Sequence, residues 1–143
     1  MLSQTSEYAL RAVVCLAQNP EKPLTTAEIA SLTKVPEHYL SKVLLMLAKH
    51  EVVYSKKGLH GGYILAHLPE NLPLLNVINA VDSIKHIKSC PLKLKTHGTN
   101  LCRLHKRLND SIDLIEELFK TSTVGTILSD PTKSIPLCET NEK

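Results

Sequence analysis

Apolar side chains recur three or four positions apart along much of the chain, which is the spacing of amphipathic helices. Residues 3–18 carry the first such stripe, and it ends at Asn19-Pro20, a dipeptide typical of turns. Residues 74–81 and 103–120 carry two more stripes, and the last of these is the longest. The pattern predicts a mainly α protein with a helix in each of these segments.

Two further helices are predicted between the first stripe and residue 50. Thr25 precedes an apolar-periodic stretch, and Glu28 stands three residues after Thr25, which is the spacing of a capping box. A short break then leads to Pro36, which favours the first turn of a helix, and to a third stripe over residues 37–50. Two helices joined by a tight turn form a helix-turn-helix.

The pattern changes to that of short β-strands after the third helix. Residues 52–54 and 63–65 are β-branched and aromatic runs, and a basic, glycine-rich stretch over residues 55–62 separates them. Two strands joined by a basic loop directly after a helix-turn-helix predict a wing. The predicted fold class is therefore mainly α, a winged helix-turn-helix DNA-binding domain with a long C-terminal dimerisation helix.

The last helix has more apolar surface than one neighbouring element would cover, which predicts a dimer interface along it. This surplus comes from Leu104, Leu108, Ile115 and Leu118. The predicted organisation is a DNA-binding domain (1–82), a basic sensor loop (83–102), the dimerisation helix with a short following helix (103–130) and a flexible tail (131–143).

Composition adds the expected compartment. No apolar run approaches the roughly 20 residues of a membrane span, and the start of the chain lacks the features of a signal peptide, so we expect a cytoplasmic protein without membrane contact. In a reducing compartment cysteines are more often buried, metal-binding or redox-active than disulfide-bonded. This applies to Cys15, Cys90, Cys102 and Cys138; we expect Cys15 in the core and Cys138 in the tail.

Charge is distributed unevenly, although the net charge is only +3. Residues 83–109 contain seven Lys or Arg and no Asp or Glu, and an acidic helix face begins at Asp110. The histidines and carboxylates show no spacing typical of a catalytic triad or a carboxylate pair, and the wing glycines do not form a phosphate-binding loop. The sequence therefore predicts a protein that is not an enzyme.

The third helix and the wing carry side chains suited to double-stranded DNA. A helix in the major groove presents polar side chains outward while its other face packs against the domain. The predicted outward set on the helix is His38, Ser41 and Lys42, and the predicted packed set is Tyr39, Leu40, Val43 and Leu44. In the wing, glycines permit close approach of Lys56, Lys57 and His60 to a phosphate strand or minor groove.

Three segments also resemble the Rrf-type family of bacterial winged-helix regulators, which includes the iron–sulfur-cluster regulator and the nitric-oxide-sensitive repressor. They are "LSQTSEYALRAVVCLA", "TTAEIASLTKVPEHYLSKVLLMLAKHEVVYSKKGLHGGYILA" and "NLPLLNVINAVD". The resemblance implies a homodimer on a palindromic operator, with base contacts from His38, Ser41 and Lys42 and a minor-groove contact from Lys57. It also implies phosphate contacts from Gln4 and Thr5.

The stretch "CPLKLKTHGTNLCRLH", residues 90–105, is the candidate sensor. Family members that bind a cluster carry three cysteines with five residues between neighbours; Cys90 and Cys102 match the outer two, and Thr96 stands at the middle position. The resemblance further implies His105 as a histidine ligand. The fourth ligand is either Glu7, contributed by the partner subunit, or His97.

The donor set leaves the cofactor open. Two thiolates with imidazole or carboxylate suit a [2Fe–2S] cluster or zinc, whereas a pair of reactive thiols could sense oxidants without metal. We expect a homodimeric repressor that senses redox state, nitric oxide or iron–sulfur status through this segment. The alternative is a cofactor-free regulator controlled by a protein partner or a small ligand.

Overall fold

The computed structural model describes residues 2–97, 100–132 and 134–137, and helices dominate these ranges. The predicted mainly α class is confirmed. In chain order the elements are α1 (Gln4–Gln18), α2 (Thr26–Thr33), α3 (Glu37–Lys49), β1 (Val53–Lys56), β2 (Gly62–Leu65), a 3₁₀ turn (Pro69–Asn71), α4 (Leu74–Val81), α5 (Arg103–Thr121) and α6 (Val124–Ser129).

The helix-turn-helix forms as its local sequence predicts. The Thr25 hydroxyl accepts a hydrogen bond from the Glu28 backbone N–H at 3.2 Å, and the Glu28 carboxylate accepts one from the Thr25 backbone N–H at 2.8 Å. This capping box starts α2. Lys34, in the left-handed conformation with φ 58°, ends α2 and turns the chain toward α3.

The core contains aliphatic side chains from α1 to α4, with Ile29, Leu40, Leu44, Leu47 and Val77 among those fully enclosed. Cys15 is only 1% exposed, so its predicted core position is confirmed. The predicted packed position of Tyr39 is wrong, because this side chain is 46% exposed. Its ring lies at the edge of the core, against the ring of Tyr8 with centroids 6.1 Å apart.

The wing is a two-stranded antiparallel sheet in which Val53 pairs with Leu65 and Lys56 with Gly62. β1 begins one residue later than predicted and continues two residues further, to Lys56. Leu24, just before α2, exchanges two backbone hydrogen bonds with Tyr63 at 3.1 and 2.7 Å. The base of the wing is therefore fixed to the helix-turn-helix.

The two C-terminal helices pack against different elements: α5 against α4, and α6 against the 3₁₀ turn and α1. None of the α5 side chains is fully buried. In α6, Val124 is fully buried, and its backbone N–H donates to Leu72 O at 2.9 Å. Further on, Gln18 Nε2 donates to Pro136 O at 2.7 Å. The predicted tail over residues 131–143 stays a prediction, and Cys138 lies outside the described residues. Within the described ranges, no helix combines the length and apolar character needed to cross a bilayer.

Candidate functional site

Helix α3 presents the predicted polar face to solvent. His38, Ser41 and Lys42 are exposed, while Leu40 and Val43 on the opposite face are buried. The Ser41 hydroxyl donates to the Glu37 carbonyl at 3.0 Å, which leaves its oxygen free to accept. The outer face of α3 therefore offers small and polar groups of the kind that reach base edges in a major groove.

The beginning of α1 lies beside the beginning of α3. Gln4 is exposed in the first turn of α1 and donates through Nε2 to the Tyr8 hydroxyl at 2.8 Å, whereas Thr5 is half-buried. Because the Tyr8 ring contacts Tyr39 of α3, the candidate phosphate-contacting residues and the candidate base-reading helix are adjacent. Sequence spacing alone does not bring them together.

The wing projects its basic residues outward. Lys56, Lys57 and His60 are all exposed, and a hydrogen bond from Gly61 N–H to Gly58 O at 3.0 Å tightens the loop. Sequence analysis missed Leu59, which is 96% exposed at the tip between these basic residues. Apolar side chains inserted in a minor groove act as wedges. The available sequence signal was a leucine between Gly58 and His60 in the basic loop.

The candidate DNA-contacting lysines are not neutralised by the chain itself. Among the described residues, Lys42, Lys56 and Lys57 form no ion pair with a carboxylate. Unpaired lysines on an exposed surface are available to phosphate oxygens, which supply much of the affinity of protein–DNA complexes.

The sensor segment brings two of its predicted ligands into contact. Cys102 is the N-cap residue of α5, and its Sγ lies 3.3 Å from His105 Nδ1, one helical turn away. A thiolate and an imidazole bound to one tetrahedral metal would lie about 3.5 Å apart, given bonds of about 2.3 and 2.1 Å. These two side chains therefore fit a shared metal ion or cluster iron.

The remaining predicted ligands do not complete this pair. In the described part of the chain, no third His, Cys, Asp or Glu ligand atom lies within 4.8 Å of both Cys102 and His105. Cys90 is 6% exposed at the start of the segment, and His97 has a buried Nδ1 without a hydrogen-bond partner. The Glu7 carboxylate accepts a hydrogen bond from Arg11 Nε at 3.0 Å. The donor types fit a cluster, but the single chain gathers only half of the set.

A cluster that sequence analysis missed lies on the acidic face of α5. His86 Nε2 lies 2.9 Å from Asp113 Oδ1 and 3.5 Å from Glu116 Oε2. The sequence shows the basic segment next to the acidic face, but not which basic-segment residue reaches which carboxylate.

The fold and the exposed basic surface define a winged helix-turn-helix protein of the DNA-binding class. A family model described as "Rrf2: Iron-dependent Transcriptional regulator" matches residues 2–130. The chain therefore belongs to the Rrf2 family, as its sequence segments predict, and it is a DNA-binding transcriptional regulator rather than an enzyme.

Individual relatives agree with this assignment. A protein of Aquifex aeolicus (strain VF5) named as an HTH-type transcriptional regulator is 31% identical over 132 residues, 90% of this chain and 92% of the relative. The HTH-type transcriptional regulator IscR of Sodalis glossinidius is 29% identical over 90% of this chain and 79% of its own length. The solved structure of T. potens IscR superposes with a TM-score of 0.76 at 25% identity, covering 92% of this chain and 88% of that one.

Proposed function

We propose that the protein is a cytoplasmic homodimeric repressor that binds a palindromic operator. In each subunit α3 enters the major groove with His38, Ser41 and Lys42, and the wing places Lys57 in the adjacent minor groove. Lys56, His60, Gln4 and Thr5 contact the phosphate strands. The observation that carries this proposal is the exposed, unpaired polar and basic surface of α3 and the wing.

Helix α5 supports the homodimer. Its exposed leucines are Leu104, Leu108, Leu114 and Leu118. At 100° per residue they lie within an arc of about 120°, so they share one face of the helix. Burying such a stripe against a second copy would remove apolar surface from water. A two-fold dimer presents two α3 helices to half-sites about 34 Å apart, which accounts for a palindromic operator.

The segment between α4 and α5 is the proposed sensor. Cys90, Cys102 and His105 would hold an iron–sulfur cluster, completed by His97 or by Glu7 of the partner subunit. When bound, such a cluster supplies a group that responds to redox state and nitric oxide. Because Cys102 is the N-cap of α5, ligation there would act on the first turn of the proposed dimer helix and so on the spacing of the two DNA-binding domains.

The alternatives to the cluster are a reactive thiol, a zinc ion and a cofactor-free regulator, and one observation favours the first two. Of the predicted sensor ligands in the described residues, only Cys102 and His105 are in contact with each other. This pair suits a reactive thiol or a zinc ion as well as a cluster. A cofactor-free regulator would answer instead to a protein or small ligand. All three alternatives retain the same DNA-binding surface.

The DNA-binding part is tested with DNA from upstream of the protein's own gene, by fluorescence anisotropy across a salt series. Lys56→Ala should weaken binding and reduce the salt slope by about 1, because one phosphate-neutralising charge is lost. Lys120→Ala removes an exposed lysine from α5 and should change neither value. Equal effects of the two substitutions would contradict the assignment of the wing.

The sensor part is tested by anaerobic purification followed by iron, sulfide and absorbance measurements. Wild-type protein and Cys138→Ser should contain iron and sulfide with visible absorbance, whereas Cys90→Ser and Cys102→Ser should not. Wild-type protein with no iron, sulfide or visible absorbance would eliminate the cluster version.

A further inference from the structure

Three side chains with metal-binding chemistry converge outside the sensor segment. Asp113 and Glu116 are three residues apart on α5, and His86 comes from the stretch that follows α4. One ligand atom from each lies within 4.8 Å of the other two, the only such group of three or more in the described ranges. This group, the His86 cluster, joins the linker after α4 to α5.

The spacing of the ligand atoms suits direct coordination of one ion. Nitrogen and oxygen ligands bound at about 2.1 Å are separated by roughly 3.0 Å in octahedral geometry and 3.4 Å in tetrahedral geometry. His86 Nε2 lies 2.9 Å from Asp113 Oδ1 and 3.5 Å from Glu116 Oε2. Two of the three separations therefore already match those around a bound ion, and the third, between the Asp113 and Glu116 carboxylates, is at most 4.8 Å.

The backbone that carries His86 is fixed to the same helix. Asn109, one turn before Asp113, donates from Nδ2 to Ile87 O at 2.8 Å and accepts from Ile87 N–H at 2.9 Å. These two hydrogen bonds hold the residue next to His86 against α5. Partners of this kind orient ligands before the metal arrives, which increases metal affinity.

The charge at the cluster also favours a cation. Asp113 and Glu116 each contribute a carboxylate, and within the described part of the chain neither forms an ion pair with a lysine or arginine. A neutral imidazole can offer its Nε2 lone pair to a metal. The two negative charges can therefore be compensated by a protonated His86 or by a bound cation.

We propose that His86, Asp113 and Glu116 form a site for a divalent first-row transition-metal ion such as Zn²⁺, Fe²⁺ or Mn²⁺, with water in the remaining positions. Imidazole and carboxylate ligands suit these ions, whereas the two cysteines of the sensor segment are soft ligands. The site shares no ligand with the proposed sensor. A bound ion would clamp the linker that leads into the sensor segment onto α5.

The test uses Zn²⁺ as the probe and full-length protein carrying Cys90→Ser and Cys102→Ser, so that the thiols of the sensor segment cannot bind it. Calorimetric titration of this metal-free protein should show one site per chain. His86→Gln and Asp113→Asn should each weaken binding at least tenfold. Asp110→Asn removes the same charge from an exposed neighbouring position on α5 and should leave the affinity unchanged.

Two further variants separate ligation from a general charge effect. Glu116→Gln should weaken Zn²⁺ binding as Asp113→Asn does, and it provides a second measurement if one variant fails to fold. Asn109→Ala should weaken binding by about tenfold through loss of the positioned backbone. No Zn²⁺ binding, or equal affinity in Asp110→Asn and Asp113→Asn, would show that the cluster is only a histidine–carboxylate ion pair. Because the sensor cysteines are absent from this protein, neither result bears on the cluster proposed for residues 90–105.

Discussion

Cys15 illustrates how burial decides the chemistry of a single residue. Its side chain is 1% exposed in the core, and burial raises the pKa of its thiol from 9.0 to about 11. A thiol that resists ionisation is a poor nucleophile and a poor metal ligand. The position of Cys15 thus excludes it from the sensor, as its place in the first helical stripe predicts.

The deeper burial of Cys15 relative to Cys102 predicts the order in which the two thiols react. In metal-free native protein at pH 8, iodoacetamide should modify the half-buried Cys102 well before Cys15, and peptide mass spectrometry can follow both. Cys15 should react readily only after denaturation. Modification of Cys15 in native protein at its unfolded rate would contradict the burial of α1.

Thiol burial also has a consequence for stability at high pH. Because the pKa of Cys15 is raised on folding, its contribution is fully present below pH 9 and is lost as pH rises from 9 towards 11. The free energy of unfolding from urea titrations should fall less steeply over this range in Cys15→Ala than in wild-type protein. Identical pH dependence in the two proteins would contradict the shift.

Among the elements, α2 depends on its capping box. Hydrogen bonds from the backbone N–H and hydroxyl of Thr25 lower the pKa of the Glu28 carboxyl. A group whose pKa is depressed on folding stabilises the protein above its unfolded pKa and loses that contribution as pH falls through the folded pKa. The support that Glu28 gives to α2 is therefore present at pH 7 and lost in acid, below about pH 4.5.

Removal of the Thr25 side chain should destabilise the start of α2. Thr25→Ala should lower the free energy of unfolding by about 1 kcal/mol at pH 7, measured by urea denaturation. Thr26→Ala, one residue further on, should have a smaller effect because no side-chain hydrogen bond is lost. An equal loss of unfolding free energy in both variants would contradict a stabilising role of the capping box.

Local sequence signals explain most elements and fail where tertiary contacts decide. Caps, turns and periodicity predict α1 to α5 and the wing with bounds close to those observed. Tyr39 was misplaced because its exposure depends on how Tyr8 of α1 meets it. The His86 cluster was missed because His86 and Asp113 are 27 residues apart and meet only when the linker folds along α5.

In the whole protein, α5 is the proposed link between two DNA-binding domains. No other element of the described chain buries its leucine stripe; Leu118, for example, is 63% exposed. The spacing of the leucines in the sequence predicts the stripe. It does not predict which surface packs against the stripe. Homodimerisation is therefore a prediction about assembly rather than about the fold of the subunit.

The dimer is tested by introducing charge into the stripe. Leu118→Glu and Leu108→Glu should each convert the dimer to a monomer in analytical ultracentrifugation, because a buried unpaired carboxylate opposes association. Operator affinity should fall with the loss of the second half-site. Leu68→Glu, at an exposed leucine away from α5, should stay dimeric. A dimeric Leu118→Glu protein would require another interface.

We propose that the ligation state of residues 90–105 controls DNA binding by α3 and the wing. It is tested most directly by measuring operator affinity anaerobically for cluster-loaded protein and for the same protein after cluster removal. Coupling of about 1.4 kcal/mol or more corresponds to at least a tenfold change, which should appear in wild-type protein and in Cys138→Ser. Cys90→Ser should show a single affinity under both treatments. Equal affinity of loaded and cluster-free wild-type protein would show that residues 90–105 do not control DNA binding.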